Sequence, residues 1–523
     1  MRRLLLSLIV SLTGLSALSA QSETVLEAEN AIISNCKVIT EKQYSNGKAV
    51  ELTEGNAKIT FTFNAQVAGK YLVYVCYDAL YGAKVINVTV NGNTSTLQTL
   101  SNVIKKEESG SYIMKQGENT IEITPNWTYF RIDYISIVID SNTTTFDINE
   151  RNVDAQATVA AVKMYSFLYE NFGKKTISGM MTGDMSGAGS NVTLHADVQA
   201  FYNVSGKYPA LIGFDFMNAT GSNASTSYYK QYTASTMALA KDTYSRGGLP
   251  AFSWHWRDPS HTVDDFYSEK CNVRISDAMN SDGSWNTSSS LYKYFIRDID
   301  AVADLLLEMQ EEGMACIFRP LHEASGAWFW WGNDGAENCA KLYRLIYDEM
   351  VNVKGVHNVI WVWNPCRTND SDWNPGEEYY DIISIDIYNN SYDYSSNYTA
   401  FDKLKSLSDS KKIIALAENG PIPDIDNEFN DYAVWSWWMP WYQTWNGNFL
   451  DKTSTDEWKK CMNDSRVISL EDLSSGWNNY SSVIQHDTTK SSSEVIYNIQ
   501  GYSPKFTRKF GLYIRNGKKY IVK

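Results

Sequence analysis

The run Ala315-Cys316-Ile317-Phe318-Arg319-Pro320-Leu321-His322-Glu323 decides how most of this chain is read. It opens with a short, unbroken apolar stretch, the mark of a strand buried on both faces, and ends in charged and polar groups. Just before it, residues 291–310 place Phe295, Ile299, Val302 and Leu306 at helical spacing. The same texture repeats: strands are expected at 175–179, 210–216, 249–256, 315–322, 358–364, 381–388, 412–418 and 431–438, with helical patterns between them. Eight βα units over 154–462 predict an α/β fold, a (β/α)8 TIM barrel. A doubly wound sheet would need a glycine-rich phosphate turn after its first strand, and residues 179–189 contain no G-x-G-x-x-G.

Outward from the barrel the pattern changes. Residues 21–140 read as an all-β sandwich, with alternation at 58–63, 70–77, 84–90 and 120–124 and turns at Asn91-Gly92 and Gln116-Gly117. Residues 141–153 read as a linker that starts in a Ser/Asn/Thr-rich stretch, and 463–490 as a connecting segment. At 491–523 a basic tail carries two strand-like runs and a turn, a short β-hairpin-like unit. At the other end, Met1-Arg2-Arg3, an apolar run over 4–15 and small residues up to Ala20 make a secretory signal over 1–20. The expected location is therefore secreted or cell-surface. No segment is long enough to span a bilayer.

The chain has 523 residues and a net charge of −14, so a nucleic-acid partner is not expected. With 34 Tyr and 17 Trp, some aromatic rings must face solvent, where they suit the apolar faces of sugars. The seven Cys form no C-x-x-C pair, and with six His a zinc cluster is improbable. A disulfide such as Cys36–Cys76 is open to an exported protein, while Cys316, inside an apolar strand, reads as a buried free thiol.

A TIM barrel keeps its chemistry at the C-terminal ends of its strands. There the fourth strand presents Arg319, His322 and Glu323, and the seventh presents Glu418. The sixth offers Tyr388, the third His255 and Trp256, the eighth Trp437 and Trp438. Either glutamate alone reads as a solvated loop residue. Two on one rim among aromatics suit glycosidic cleavage, where a protonated carboxyl donates to the leaving oxygen and an ionised one attacks the anomeric carbon. The charge of Glu418 would raise the pKa of Glu323. Tyr388 can donate to Glu418, and Arg319 can hold it ionised.

The barrel region resembles glycoside hydrolase family 26. The residues that carry this are Arg319-Pro320-Leu321-His322-Glu323, then Gly326-Ala327-Trp328-Phe329-Trp330-Trp331-Gly332, Ile385-Asp386-Ile387-Tyr388 and Leu416-Ala417-Glu418. The resemblance implies Glu323 as acid/base and Glu418 as nucleophile. It implies substrate contacts at His255, His322, Trp328 and Tyr388, with Trp438 as the platform under the sugar. The 21–140 region resembles a carbohydrate-binding module of family 35 or 6, on Leu26-Glu27-Ala28-Glu29-Asn30 and the run Asn126-Trp127 to Ile135. That implies Glu27, Glu29 and Asp133 as ligands of a structural Ca2+ and Trp127 as a sugar-stacking ring. The tail is similar to C-terminal sorting segments of exported Bacteroidetes proteins.

The expected function is a retaining endo-β-1,4-mannanase, a monomer without a catalytic cofactor, acting on β-mannan and mannooligosaccharides. A β-1,3:1,4-glucanase or xylanase would keep the chemistry and change the substrate. A third reading, a non-catalytic polysaccharide-binding protein on a decayed barrel, has the presence of both Glu323 and Glu418 against it.

Overall fold

The computed structural model describes residues 23–140, 146–185, 189–442, 449–473 and 476–477, with the backbone of three strands between 497 and 522. It divides into two units, 1–474 and 475–523.

In the first unit the barrel strands are β1 (Thr176–Met181), β2 (Leu211–Asp215), β3 (Leu249–Ser253), β4 (Cys316–Arg319), β5 (Val359–Trp363), β6 (Ile382–Ile387), β7 (Ile413–Asn419) and β8 (Trp437–Pro440). They pair in chain order, all parallel, and β8 pairs with β1 to close the ring. Nearly every strand residue is buried on both faces, which is why the strands read as continuous apolar runs rather than alternating ones. Met181, Phe214, Ile317, Val362, Trp437 and Met439 fill the interior, so the barrel is packed rather than open. The helices are α1 (Val159–Asn171), α2 (Ala196–Ser205), α3 (Ser227–Ser245), α4 (Ser290–Glu311), α5 (Ala336–Tyr347), α6 (Tyr398–Leu407), α7 (Ile425–Asn430) and α8 (Thr455–Asn463). Side-chain N-caps from Thr226 and Ser289 start α3 and α4, and α4 buries the periodic residues picked out from sequence.

Three expectations are corrected. The eighth strand begins at Trp437, six residues later than 431, because α7 runs on to Asn430 and the chain then turns through Tyr432 at φ 54°. No α-helix follows β5: the Asn/Asp/Pro-rich segment forms only the short turns Ser371–Trp373 and Glu377–Tyr379, and α1, which precedes β1, packs against β5. The barrel unit also runs past 462, since Val467–Ile468 adds a parallel strand beside β1.

The sandwich comprises two antiparallel sheets. One contains Gly69–Asp78 and Phe130–Ile139; the other contains Lys58–Ala65, Val85–Val90 and Gly117–Pro125. Phe61, Phe63, Val73, Val75, Val88, Ile121 and Ile135 meet between them. Asn91 and Gly92 both take positive φ, as the tight hairpin between Val85–Val90 and Asn93–Gln98 requires. Cys36 and Cys76 are free thiols, so the disulfide does not form: Cys36 donates to Lys58 O beside one sheet, while Cys76 lies in a strand of the other.

The later half of the expected linker is docked. Phe146 packs on Phe172 at 4.9 Å, and the N–H groups of Asp147 and Asn149 bond to Ser410 and Lys411 carbonyls. Lys70 of the sandwich, its side chain fully buried, reaches Asp402 of α6 through both carboxylate oxygens at 2.7 Å. Breaking such a pair by removing one partner strands the other charge. In the second unit, Tyr497–Asn498, Gly511–Arg515 and Lys518–Val522 pair antiparallel as one small sheet. The secretory signal lies outside the described residues. No described helix is long and apolar enough to cross a membrane.

Candidate active site

The mouth of the barrel at the C-terminal strand ends gathers the predicted polar residues. Arg319, the last residue of β4, is 4% exposed and forks between two carboxylates. Its Nη1 bonds to Asp386 Oδ2 at 3.0 Å, and its Nη2 donates to Glu418 Oε1. The Tyr388 hydroxyl donates to Glu418 Oε2 at 2.5 Å. Both oxygens of Glu418 therefore accept hydrogen bonds, and the carboxyl is fixed in direction. Asn364, after β5, donates to Asp386 Oδ1 at 3.0 Å.

Glu323 stands one turn beyond β4. It takes φ 54°, and Leu321 and Ala327 nearby take φ 51° and 59°. Left-handed backbone at three non-glycine residues is costly and persists only where neighbours enforce it. Here they do. Ser268, in the loop after β3, donates from its N–H to Trp328 O at 2.8 Å and from its hydroxyl to Ala327 O at 2.7 Å. The indole N–H of Trp328 donates to Glu323 Oε2 at 2.9 Å. That fold-back needs Gly326, because a Cβ there would lie 2.2 Å from the Trp328 ring.

One carboxylate oxygen each from Glu323, Asp386 and Glu418 lie within 4.8 Å of one another. Burial first, and the Glu418 charge second, push Glu323 up to about 7, against the pull of Arg319. Among the described residues this is the only such grouping. Arg319 already supplies a cation to two of its three members.

His255 and His322 wall the mouth, their rings 4.6 Å apart at 78°. Burial would lower His255, but Asp215 at the end of β2 outweighs it and holds the imidazole above its ordinary value. Burial, then Arg319 and His255, hold His322 well below.

Two predicted residues are not brought to the mouth. Trp256 is fully buried in the outer layer, stacked on Trp254 at 4.2 Å, with its N–H on Asp298 of α4. Trp438 is fully buried between Phe201 of α2 and Trp458 of α8. Strand alternation is the reason: His255 faces in, so Trp254 and Trp256 face out; Trp437 and Met439 face in, so Trp438 faces out. The same parity brings Trp441 inward, with its ring 6.1 Å from His255. Tyr442 follows at 5.3 Å, laid against Gly183, where a Cβ would lie 2.6 Å from the tyrosine ring. Trp441→Ala is expected to lower kcat/KM by about tenfold or more. Trp438→Ala is expected to cost stability, about 3–5 kcal/mol, with kcat/KM of the folded protein near wild type. Thermal melts and kinetics on both variants check this; the opposite pattern would restore Trp438 as the platform.

The carboxyl pair Glu323 and Glu418 at this mouth suits the breaking of glycosidic bonds, and the protein is a glycoside hydrolase. The chain belongs to glycosyl hydrolase family 26, whose model matches residues 153–472. Residues 24–139 match the carbohydrate binding module of family 35. A mannan endo-1,4-beta-mannosidase of Thermothelomyces thermophilus is 31% identical over 471 residues, 87% of this chain and 91% of that protein. The structure of a ruminal GH26 endo-beta-1,4-mannanase superposes with a TM-score of 0.73 at 26% identity, over 87% of this chain and 98% of that one. A Podospora anserina GH26-CBM35 beta-(1,4)-mannanase gives 0.59 at 28% identity, over 87% and 99%.

In the sandwich, Trp127 is 59% exposed. Tyr81 and Tyr129 are also exposed and meet edge to face at 6.3 Å, and the N–H of Trp127 bonds to Val85 O near the Tyr81 loop. Of the expected calcium ligands, Glu27 and Asp133 are linked through Ser45, but Glu27, Glu29 and Asp133 do not form a second close grouping of the kind at the barrel mouth. Ser45 bridges Asp133 and Glu27 through its N–H and hydroxyl, while Oε2 of Glu27 and Oε2 of Glu29 are buried without a partner. Burial, then the Glu27 and Glu29 charges, raise Asp133. An all-oxygen, carboxylate-rich set with orphaned acceptors fits a hard cation.

Proposed function

We propose that the chain is an endo-β-1,4-mannanase that hydrolyses internal linkages of mannan with retention of configuration. The observation that carries the stereochemistry is the approach of Glu323 and Glu418 oxygens to within 4.8 Å. Inverting enzymes hold their carboxyls roughly 6.5–9.5 Å apart to seat a water between them. The substrate reading rests on relatives that bear the mannanase name over most of their length.

In the first step Glu418 attacks the anomeric carbon while Glu323 gives its proton to the departing glycosidic oxygen. One C–O bond forms, one breaks, and the leaving sugar departs as an alcohol. Arg319 and Tyr388 aim the attacking carboxylate. In the second step Glu323, now ionised, takes a proton from water, whose oxygen displaces Glu418. Reducing-end release from galactomannan, mixed-linkage β-glucan and xylan tests the substrate. Proton NMR of the first-formed anomer tests retention. Wild-type enzyme inert on mannan ends the substrate reading, and an inverted first product ends the mechanism.

The sandwich is assigned to polysaccharide binding through Trp127, Tyr81 and Tyr129, with Ca2+ held by Glu27, Glu29 and Asp133. Chelation is expected to lower the sandwich's melting temperature, because a ligand that binds only the folded state stabilises it. A melt unchanged by EDTA removes calcium from the account. The leader at 1–20 is assigned to export and the tail at 491–523 to surface sorting.

A further inference from the structure

We propose that Asp215 is a positioning residue for this reaction: it fixes the His255 ring so that Nε2–H meets a hydroxyl of the sugar poised between Glu323 and Glu418. The proposal rests on the glycosidase reading above. Asp215 closes β2 and is 6% exposed. Its Oδ2 accepts from His255 Nδ1 and from Ser253 Oγ, the latter at 2.9 Å. Its Oδ1 accepts from the His255 N–H at 3.0 Å and the Met217 N–H at 2.8 Å. One carboxylate thus grips His255 by ring and by main chain, leaving the ring little freedom to turn.

With Nδ1 engaged, Nε2 is the nitrogen left, and it has no protein partner among the described residues. Phe266, Phe329 and Trp441 hem the ring in at 4.9, 5.3 and 6.1 Å. The charged and titratable groups facing it are Asp215 from β2, Arg319 from β4, His322 and Glu323 just beyond β4, and Glu418 from β7. Beside it, Nδ1 of His322 is buried and without a partner. A buried polar atom left unpaired in a folded protein points to a group that arrives later. At this mouth the arriving group is a sugar hydroxyl. A carboxylate behind a histidine sets both its tautomer and its charge, so the ring can only donate forward.

A double-mutant cycle separates this from a merely structural role. Asp215→Asn keeps an acceptor but loses the charge. It is expected to lower kcat/KM by about tenfold or more with His255 in place, and by less than about twofold in a His255→Phe background. Thermal melts of all four proteins check that each is folded at the assay temperature. An equal kinetic loss in both backgrounds overturns the proposal. Nitrogen-15 titration of the wild-type imidazoles gives a second arm that needs no variant: His255 must stay Nδ1-protonated and cationic above the ordinary histidine range, and titration at or below it overturns the proposal too. The cycle runs on whichever of the three polysaccharides the wild type cleaves. Inactivity on mannan alone therefore ends only the substrate reading, whereas inactivity on all three ends both.

Discussion

Glu418→Ala is expected to cut turnover on mannan by roughly 10⁴-fold or more, and azide is expected to restore part of it. The geometry explains both halves. Without Glu418 nothing else at the mouth is aimed at the anomeric carbon, since Asp386 is tied down by Arg319 and Asn364. The vacated space is still faced by the Arg319 guanidinium and the Tyr388 hydroxyl, which is a site for a small anion. Azide bound there attacks from the side Glu418 used, and no second displacement follows. The product is a glycosyl azide of inverted configuration, read by NMR. Asp386 remains to pair Arg319, so the variant should fold, and a melt checks that. Wild-type turnover in Glu418→Ala, or an azide product of retained configuration, would remove Glu418 as nucleophile.

The rim was legible in sequence because strand ends are legible. An apolar run that stops in Arg-Pro-Leu-His-Glu or in Ala-Glu-Asn must stop at a mouth, whatever the exact strand length. Facing is harder, because it flips with each residue. Trp256 and Trp438 show this: each neighbours a residue that does face inward, His255 and Trp437. For Trp438 the strand start was also misplaced, since residues 431–436 look apolar enough for a strand but follow directly from α7. Counted from the true start at Trp437, parity turns Trp441 inward.

Asp215 was missed for a different reason. It lies at the end of β2 as Glu418 lies at the end of β7, but between Phe214 and Phe216 it is a single acid within an aromatic run and carries no motif of its own. An acid buried at 6% exposure needs a partner, and only the fold reveals that the partner is His255. The missing helix after β5 was legible in principle, because its segment carries Pro365 and Pro375 with Asn and Asp between. The docking of 146–153 was not, because it depends on Phe146 finding Phe172 and Phe401 across the barrel surface.

Glu323→Gln should lose activity in a substrate-dependent way. On mannan, whose leaving group is a sugar alkoxide, kcat is expected to fall about 10²- to 10⁴-fold, because no acid remains to protonate it. On an aryl mannoside with an activated phenol the first step needs no acid, so a burst of phenol should appear. It should be followed by slow release of the trapped glycosyl group, because the base for the second step is also gone. Equal losses on both substrates would contradict the acid role. The wild-type pH profile follows from the same residue. Glu323 sits at about 7 and must be protonated to act, so activity on mannan should be held below that pH and fall as pH rises through it. The burst on the aryl substrate in Glu323→Gln should lack that limb. The Glu418 charge is the second cause of the upward shift, after burial. When Glu418 becomes an ester in the covalent intermediate, that charge is gone and Glu323 drops, which is the direction it must move to serve as base. Carbon-13 titration of Glu323 in Glu418→Gln should therefore find its pKa below the wild-type value. A value unchanged or higher would show that burial alone sets the acid and that the two carboxyls do not exchange roles through their charges.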